Sequence, residues 1–207
     1  MNRKVRKIGV LGGTFDPIHL GHLKIAEEAT QRLGLSQVLF VPASEPWLKE
    51  HRNIAPGEHR LAMIELAIAP TTLFRASTVD LDRQGLSYTV DTLTDLRREL
   101  GEEANLYFIL GLDALRGFSS WREPAKIIAM CQLVGAKRPG CLAIDLKSLE
   151  RSVPGISRRI TILDNPLIDI DSTAIRERVA QGLPITDLVP DAVARYIKEK
   201  GLYKKEV

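Results

Sequence analysis

Short apolar runs recur along the chain, and the segments between them space their apolar residues as on a helix. Buried strands are predicted at residues 7–11, 37–42, 105–111, 132–136 and 160–163, and weaker strand patterns lie at 73–76 and 78–81. Helices are predicted at residues 23–33, 58–68, 90–100, 127–130, 143–151, 172–181 and 191–200. The chain therefore alternates strand and helix along most of its length.

This alternation predicts an α/β protein with a doubly wound, Rossmann-like parallel sheet, helices on both faces and a helical C-terminal end. No internal repeat, low-complexity tract or linker interrupts the pattern, so we expect one domain over residues 1–207. In such sheets a ligand binds outside the carboxyl ends of the strands, where the strand order reverses. The turn after the first strand is therefore the expected place for a site.

That turn lies within residues 12–22, which read GGTFDPIHLGH and run from the first strand into a helix. A helix start offers backbone N–H groups and the positive end of the helix dipole to an anion. Gly12 and Gly13 let the backbone approach a ligand closely. Pro17 suits a first helical turn, and His19 and His22, three residues apart, share one helix face. The segment is typical of a phosphate-binding turn.

A second candidate segment opens the helix predicted at residues 172–181. Asp171 or Ser172 can cap this helix, and Thr173 adds a hydroxyl and an N–H group. Arg176 lies in the first turns, where the helix dipole opposes a cation. A bound phosphate would explain the arginine, because hydroxyl, N–H and guanidinium groups converge on phosphate oxygens. An ordinary N-cap followed by a surface arginine is the alternative.

Composition and charge narrow the class of partner. The 207 residues are 44% hydrophobic and 27% charged, with a net charge of +3 spread along the chain. We therefore expect a phosphate-rich small ligand and no nucleic-acid partner. No apolar stretch is long enough to span a bilayer and no signal-peptide pattern is present, which predicts a cytoplasmic protein without a membrane partner. Cys131 and Cys141 give no metal-site spacing.

The segment GGTFDPIHLGH resembles the HxGH signature of the nucleotidyltransferase superfamily, which also includes the class I aminoacyl-tRNA synthetases. Its longer form is similar to that of the bacterial nicotinate-nucleotide adenylyltransferases. Three further segments resemble motifs of that family in the same order: SYTVDT at 87–92, GLD at 111–113 followed by Trp121, and DSTAIR at 171–176. The resemblance implies transfer of the adenylyl group of ATP to nicotinate mononucleotide, giving deamido-NAD (nicotinate adenine dinucleotide) and pyrophosphate in NAD biosynthesis.

The resemblance also implies roles for individual residues. The catalytic set would be His19, His22 and Arg176. ATP would be bound by Gly12, Gly13, Thr14, Phe15, Lys49, Gly111, Asp113, Ile170, Ser172 and Thr173. Nicotinate mononucleotide would be bound by Asp16, Ser87, Tyr88, Thr89, Trp121 and Arg122. Mg²⁺ would accompany ATP as a cofactor, and no metal ligand is assigned to the protein itself.

Two departures from the family pattern leave parts of this interpretation open. The family commonly reads Pro-Pro-His-Lys where this chain has Pro-Trp-Leu-Lys at residues 46–49, so Lys49 matches the pattern and the histidine before it is missing. Ile170 stands where the family usually has Ser or a small residue. The acceptor could instead be nicotinamide mononucleotide or phosphopantetheine, or the chain could be a non-catalytic nucleotide-binding sensor. Association into a homo-oligomer also stays open.

Overall fold

The computed structural model describes residues 6–46, 54–83, 85–101, 103–137, 144–163 and 170–204. The strands in this part are β1 Arg6–Gly13, β2 Gln37–Pro42, β3 Glu45–Pro46, β4 Phe74–Ala76, β5 Leu86–Ser87, β6 Ala104–Gly111, β7 Cys131–Ala136 and β8 Ile160–Leu163. The helices are α1 Leu20–Leu33, α2 Gly57–Ile68, α3 Thr89–Leu100, α4 Leu112–Arg116, α5 Pro124–Met130, α6 Leu146–Ser152, α7 Ser172–Ala180 and α8 Asp191–Lys200. Short 3₁₀ turns lie at Phe118–Ser120 and Ile156–Arg158.

Six of these strands form one parallel sheet in the order β4-β2-β1-β6-β7-β8. The chain builds the sheet outward from β1 through β2 to β4, and then outward on the other side from β6 through β7 to β8. The strand order therefore reverses between β1 and β6. A separate pair joins β3 to β5, with Pro46 opposite Ser87. The predicted doubly wound parallel sheet is confirmed.

Two apolar cores lie on the two faces of the sheet, because side chains alternate along each strand. Along β6, Leu106, Phe108 and Leu110 pack into one core, whereas Ile109 packs into the other. The first core contains buried residues of α3, α4, α5 and α6. The second contains buried residues of α1, α2, α7 and α8. Among the described residues, no helix is both long and apolar enough to cross a membrane.

Three local predictions are wrong. Residues 78–81 form no strand, because the Thr78 hydroxyl donates to Asp82 at 2.7 Å and the Asp82 N–H donates to the Thr78 carbonyl at 2.8 Å, which closes a turn. Gly12 and Gly13 are the last residues of β1, paired with β2, and do not belong to the turn. Pro17 precedes α1, which begins at Leu20.

Candidate active site

A cavity of about 330 Å³ opens at the carboxyl ends of β1 and β6, where the strand order reverses. Its wall comes mainly from three parts of the chain: the segment 12–22, the end of β6 and the start of α7. Most of the predicted catalytic and ATP-binding residues lie in its wall: Gly12, Gly13, Thr14, Phe15, His19, His22, Gly111, Ser172, Thr173 and Arg176. Asp16, which the sequence placed with the acceptor, also lines this cavity.

A second cavity of about 230 Å³ lies directly beside the first. The two cavities share a wall made of Gly12, Gly13, Thr14 and Gly111, together with Leu110 and Ala114. Three residues predicted to bind the acceptor line the second cavity: Ser87, Thr89 and Trp121. The structure therefore places the two predicted substrate sites side by side across the glycines that end β1.

Four of the predicted site residues that the structure describes line neither cavity. Asp113 and Arg122 are exposed, and Ile170 packs against the apolar core under α7. Tyr88 is the N-cap of α3, and the Arg122 guanidinium lies 4.8 Å from the centre of its ring. Lys49 lies outside the described residues, as do Trp47 and Leu48 of the altered loop.

The two histidines meet at the start of α1. His19 is the N-cap residue and only 3% exposed, and its ring stacks on that of His22 with 3.6 Å between ring centres. The backbone N–H of His19 donates to Nδ1 of His22 at 3.3 Å, so a neutral His22 carries its proton on Nε2. Both imidazoles line the larger cavity. Their arrangement suits N–H donation to phosphate oxygens placed there.

The packing of the Phe15 ring explains why β1 ends in glycine. Its backbone lies in the left-handed region at φ 51°, which places the buried ring against Gly13, Phe40 and His22. A Cβ atom on Gly13 would lie 3.1 Å from that ring. A Cβ atom on Gly12 would come no closer than 3.4 Å to another side chain, that of Phe108. Gly12 is exposed and lines both cavities. Gly13 therefore serves internal packing, whereas Gly12 leaves room for a ligand.

Asp16 links Arg176 to the C-terminal end of the chain. The carboxylate is 3% exposed, and Tyr203 donates its hydroxyl to Oδ1 at 2.7 Å while Ala55 N–H donates at 3.2 Å. Arg176 donates to the Asp16 carbonyl at 2.7 Å, lies 3.6 Å from Oδ2 and also donates to the Thr173 hydroxyl at 3.3 Å. Burial, and next the charge of Asp16, raise the pKa of Tyr203, which keeps it a donor.

The start of α7 is tied to the same segment. Asp171 is the N-cap, and its carboxylate accepts the Thr173 N–H at 2.9 Å. The Ser172 hydroxyl donates to the Pro17 carbonyl at 3.1 Å. The structure therefore selects Asp171 as the capping residue of the two that the sequence allowed. It also shows that Arg176, a cation in helical turns where the dipole opposes one, has an internal carboxylate partner in Asp16.

Sequence reasoning missed Arg60, which is 2% exposed beneath the site. Its guanidinium donates to three backbone carbonyls: Ala55 at 2.9 Å, Thr14 at 2.9 Å and Ser44 at 3.3 Å. Burial lowers the pKa of Arg60, and Asp16 and Tyr203 act in the opposite direction. A signal existed, because Arg60 occupies the first position of a buried i, i+3, i+4, i+7 stripe with Met63, Ile64 and Ala67. For Tyr203 no comparable signal exists.

Comparisons with known proteins agree with this arrangement. Residues 10–178 match the family model described as cytidylyltransferase-like. A relative from Dehalococcoides mccartyi, named as a probable nicotinate-nucleotide adenylyltransferase, is 44% identical over 97% of this chain and 98% of its own length. A relative of the same name from Roseiflexus sp. is 49% identical over 95% of this chain and 98% of its own.

The fold is also similar to that of solved structures. The nicotinic acid mononucleotide adenylyltransferase of Plasmodium falciparum, complexed with APC, superposes with a TM-score of 0.76 at 20% identity, covering 96% of this chain and 97% of its own. The same protein complexed with NaAD gives a TM-score of 0.75 at 22% identity over the same shares of the two chains. These likenesses show a common fold.

Proposed function

Because this chain belongs to the cytidylyltransferase-like family, and within it to the nicotinate-nucleotide adenylyltransferases, we propose that it transfers the adenylyl group of ATP to nicotinate mononucleotide. One observation carries the proposal: two cavities share the wall at Gly12, Gly13, Thr14 and Gly111. The larger holds the histidines and Arg176, and the smaller holds Ser87, Thr89 and Trp121. Two substrates bound there would meet end to end.

The proposed reaction is a direct transfer between the two substrates. A phosphate oxygen of nicotinate mononucleotide attacks the α-phosphorus of ATP in line, and the bond to the β-phosphate breaks. The products are nicotinate adenine dinucleotide and pyrophosphate. No covalent enzyme intermediate is needed, so the protein contributes positioning and stabilisation of negative charge.

We assign that stabilisation to the walls of the larger cavity. His19 and His22 donate to oxygens of the α- and β-phosphates, where negative charge develops during transfer. Arg176, held by Asp16, faces the same cavity with Ser172 and Thr173 at the start of a helix. A helix N-terminus favours an anion, and its dipole adds to the attraction of the guanidinium. Gly12 lets the triphosphate approach the end of β1.

Mg²⁺ fits this site as part of the substrate complex. Across the part of the chain that the structure describes, no group of three or more His, Cys, Asp or Glu residues could hold a metal ion. Asp16, the carboxylate nearest the histidines in the sequence, is occupied by Tyr203, Ala55 and Arg176. Mg²⁺ is commonly bound through substrate phosphates and water with few protein ligands. We propose that it enters bound to ATP and partly neutralises the pyrophosphate that leaves.

The acid form of the pyridine mononucleotide suits the smaller cavity. Helix α3 begins at Thr89, so the positive end of its dipole and its first N–H groups lie at the cavity wall. A nicotinate carboxylate is attracted there, whereas a neutral amide gains less. Trp121 packs on Phe118 and edge-on against Phe108, and also lines the cavity, where it can stack on a pyridine ring.

The position of bond cleavage tests the proposed reaction type. With α-³²P ATP, Mg²⁺ and nicotinate mononucleotide, the label should appear in the dinucleotide. With γ-³²P ATP it should appear only in pyrophosphate. Omission of the acceptor or addition of excess EDTA should abolish both products. Transfer of the γ-label to the acceptor, or release of the α-label as free AMP, would rule out adenylyl transfer.

We also propose that residues 1–207 act as one nucleotidyltransferase domain. The main sheet joins early strands (β1, β2 and β4) to late ones (β6, β7 and β8), and α7 and α8 pack into the same core as α1 and α2. The last described turn returns to the site, because Tyr203 bonds to Asp16. These links between early and late segments favour a single cooperative unit.

A further inference from the structure

Tyr203, in the turn that follows α8, is the residue with which the C-terminal end of the chain reaches the candidate site. Helix α8 is capped by Gly201, whose φ of 65° is left-handed, and Leu202 N–H donates back to the Ile197 carbonyl at 3.1 Å. Tyr203 also has a left-handed φ, 62°, which residues other than glycine seldom adopt. Its ring packs against the second core and its hydroxyl bonds to Asp16. An unusual backbone thus places a phenol on a buried carboxylate.

The two oxygens of the Asp16 carboxylate have different partners. Oδ1 accepts both the Tyr203 hydroxyl at 2.7 Å and the Ala55 N–H at 3.2 Å. Oδ2 faces Arg176, whose Nη1 lies 3.6 Å away, beyond hydrogen-bond distance. The guanidinium donates instead to the Asp16 carbonyl at 2.7 Å and to the Thr173 hydroxyl at 3.3 Å. Asp16 therefore attracts Arg176 by its charge, and none of these described contacts is a two-point ion pair.

The Tyr203 hydroxyl opposes a different arrangement of the same charges. A carboxylate and a guanidinium that meet freely favour a bidentate pair with two parallel N–H···O bonds. Without its phenolic donor, the Asp16 carboxylate would be freer to rotate about the Cβ–Cγ bond and to present both oxygens to Arg176. The guanidinium would then turn towards Asp16 and away from the larger cavity, which both side chains line. The hydroxyl thus keeps Arg176 available to an anion in that cavity.

Tyr203 itself lies outside the cavities proposed for the two substrates. It lines neither of them, but it lines a third cavity of about 640 Å³ that shares Ile54, Thr173 and Arg176 with the larger one. A hydroxyl in this place reaches bound ATP only through Asp16 and Arg176. Its effect on the reaction would therefore be indirect, through the orientation of the guanidinium.

We propose that Tyr203 is a positioning residue for the triphosphate of ATP: by holding Oδ1 of Asp16, its hydroxyl keeps the Arg176 guanidinium directed into the larger cavity. The inference rests on the proposed function, in which Arg176 binds phosphate oxygens. It assigns Tyr203 to the ATP half of the site alone, because Tyr203, Asp16 and Arg176 do not line the smaller cavity. Loss of the hydroxyl should therefore weaken the binding of MgATP and leave that of nicotinate mononucleotide unchanged.

The test is Tyr203→Phe, which removes one oxygen atom and keeps the ring. The Kd for MgATP, measured by titration calorimetry without the acceptor, should rise about tenfold, the change expected when one charge-assisted hydrogen bond is lost. In steady-state assays kcat/KM for MgATP should fall by a similar factor. The KM for nicotinate mononucleotide should stay at its wild-type value.

The matched control is Tyr196→Phe. The Tyr196 hydroxyl is also half-buried and hydrogen-bonded, to His59 Nδ1 at 2.9 Å, but Tyr196 lines none of the three cavities. Both variants should unfold within a few degrees of the wild type, and the control should bind MgATP normally. A purely structural role of Tyr203 would instead lower the melting temperature and leave the Kd for MgATP unchanged, which would overturn the inference.

A double-mutant cycle tests the route through Arg176. Arg176→Ala removes the group that Tyr203 would direct, so adding Tyr203→Phe to it should lower kcat/KM for MgATP no further. A further tenfold loss in the double variant, or equal losses for both substrates in Tyr203→Phe, would overturn the inference. Inactivity of the wild type towards nicotinate mononucleotide, with MgATP still bound, would instead overturn the proposed function, and the calorimetric comparison would still decide the role of Tyr203.

Discussion

Replacement of His19 by alanine should lower kcat at least about a hundredfold, since loss of one donor to developing phosphate charge typically costs ~3–4 kcal/mol. His19 is buried at the start of α1, its ring stacks on His22, and both rings line the larger cavity. The fold should survive the change. The His19 carbonyl, which accepts the N–H groups of His22 and Leu23, belongs to the backbone and is retained.

Steady-state rates of pyrophosphate release measure this effect, with circular dichroism to verify the fold. The matched control is His59→Ala, because His59 pairs with Tyr196 on α8 and lines neither cavity. The control should retain wild-type kcat. A His19→Ala protein with near-normal turnover would remove this histidine from the mechanism.

Arg60→Met should cause the largest loss of stability, lowering the free energy of unfolding by about 3 kcal/mol. Methionine fills much of the same space but cannot donate to the carbonyls of Thr14, Ser44 and Ala55, which Arg60 holds from a position that is 2% exposed. Partly buried carbonyls left without a donor cost free energy. In a chain of this size the melting temperature should fall by roughly 6–12 °C.

Thermal unfolding of Arg60→Met and of Arg98→Met distinguishes the loss of the hydrogen bonds to carbonyls from the mere loss of a positive charge. The Arg98 side chain is 76% exposed and pairs with Asp95 on the surface of α3, where such pairs contribute little. Its replacement should leave the melting temperature within about 2 °C of the wild type. Equal decreases in the two variants would contradict the role given to the contacts between the buried Arg60 guanidinium and the three carbonyls.

The fold was predictable because its strands are short, mostly apolar and separated by helical patterns. Strands β2 and β6 and helices α3 and α8 lie within one residue of the predicted bounds. The failure at residues 78–81 has a local cause. Val79 and Leu81 alternate with polar residues as in a strand, but the bonds between Thr78 and Asp82 close a turn. The alternation of apolar and polar residues carries no information about such side-chain hydrogen bonds.

The chemically distinctive part of the site was also predictable, because a short motif places its residues together. His19, His22 and Gly12 lie close in sequence, and the helix start that carries Arg176 has a capping pattern of its own. The supporting residues are different. Tyr203 reaches Asp16 across 187 positions of sequence, and only the docking of the C-terminal end brings them together. Asp80 looks like a surface turn residue in the sequence, yet it is buried and accepts hydrogen bonds from Arg83 and Thr92.

The acceptor decides between the proposed function and its alternatives. Pyrophosphate release from MgATP should be measured with nicotinate mononucleotide and with nicotinamide mononucleotide at matched concentrations. We expect a strong preference for nicotinate mononucleotide, because the first turn of α3 faces the cavity that would hold its carboxylate. Equal use of both mononucleotides would contradict that recognition. No release with either one would contradict adenylyl transfer to a pyridine nucleotide altogether.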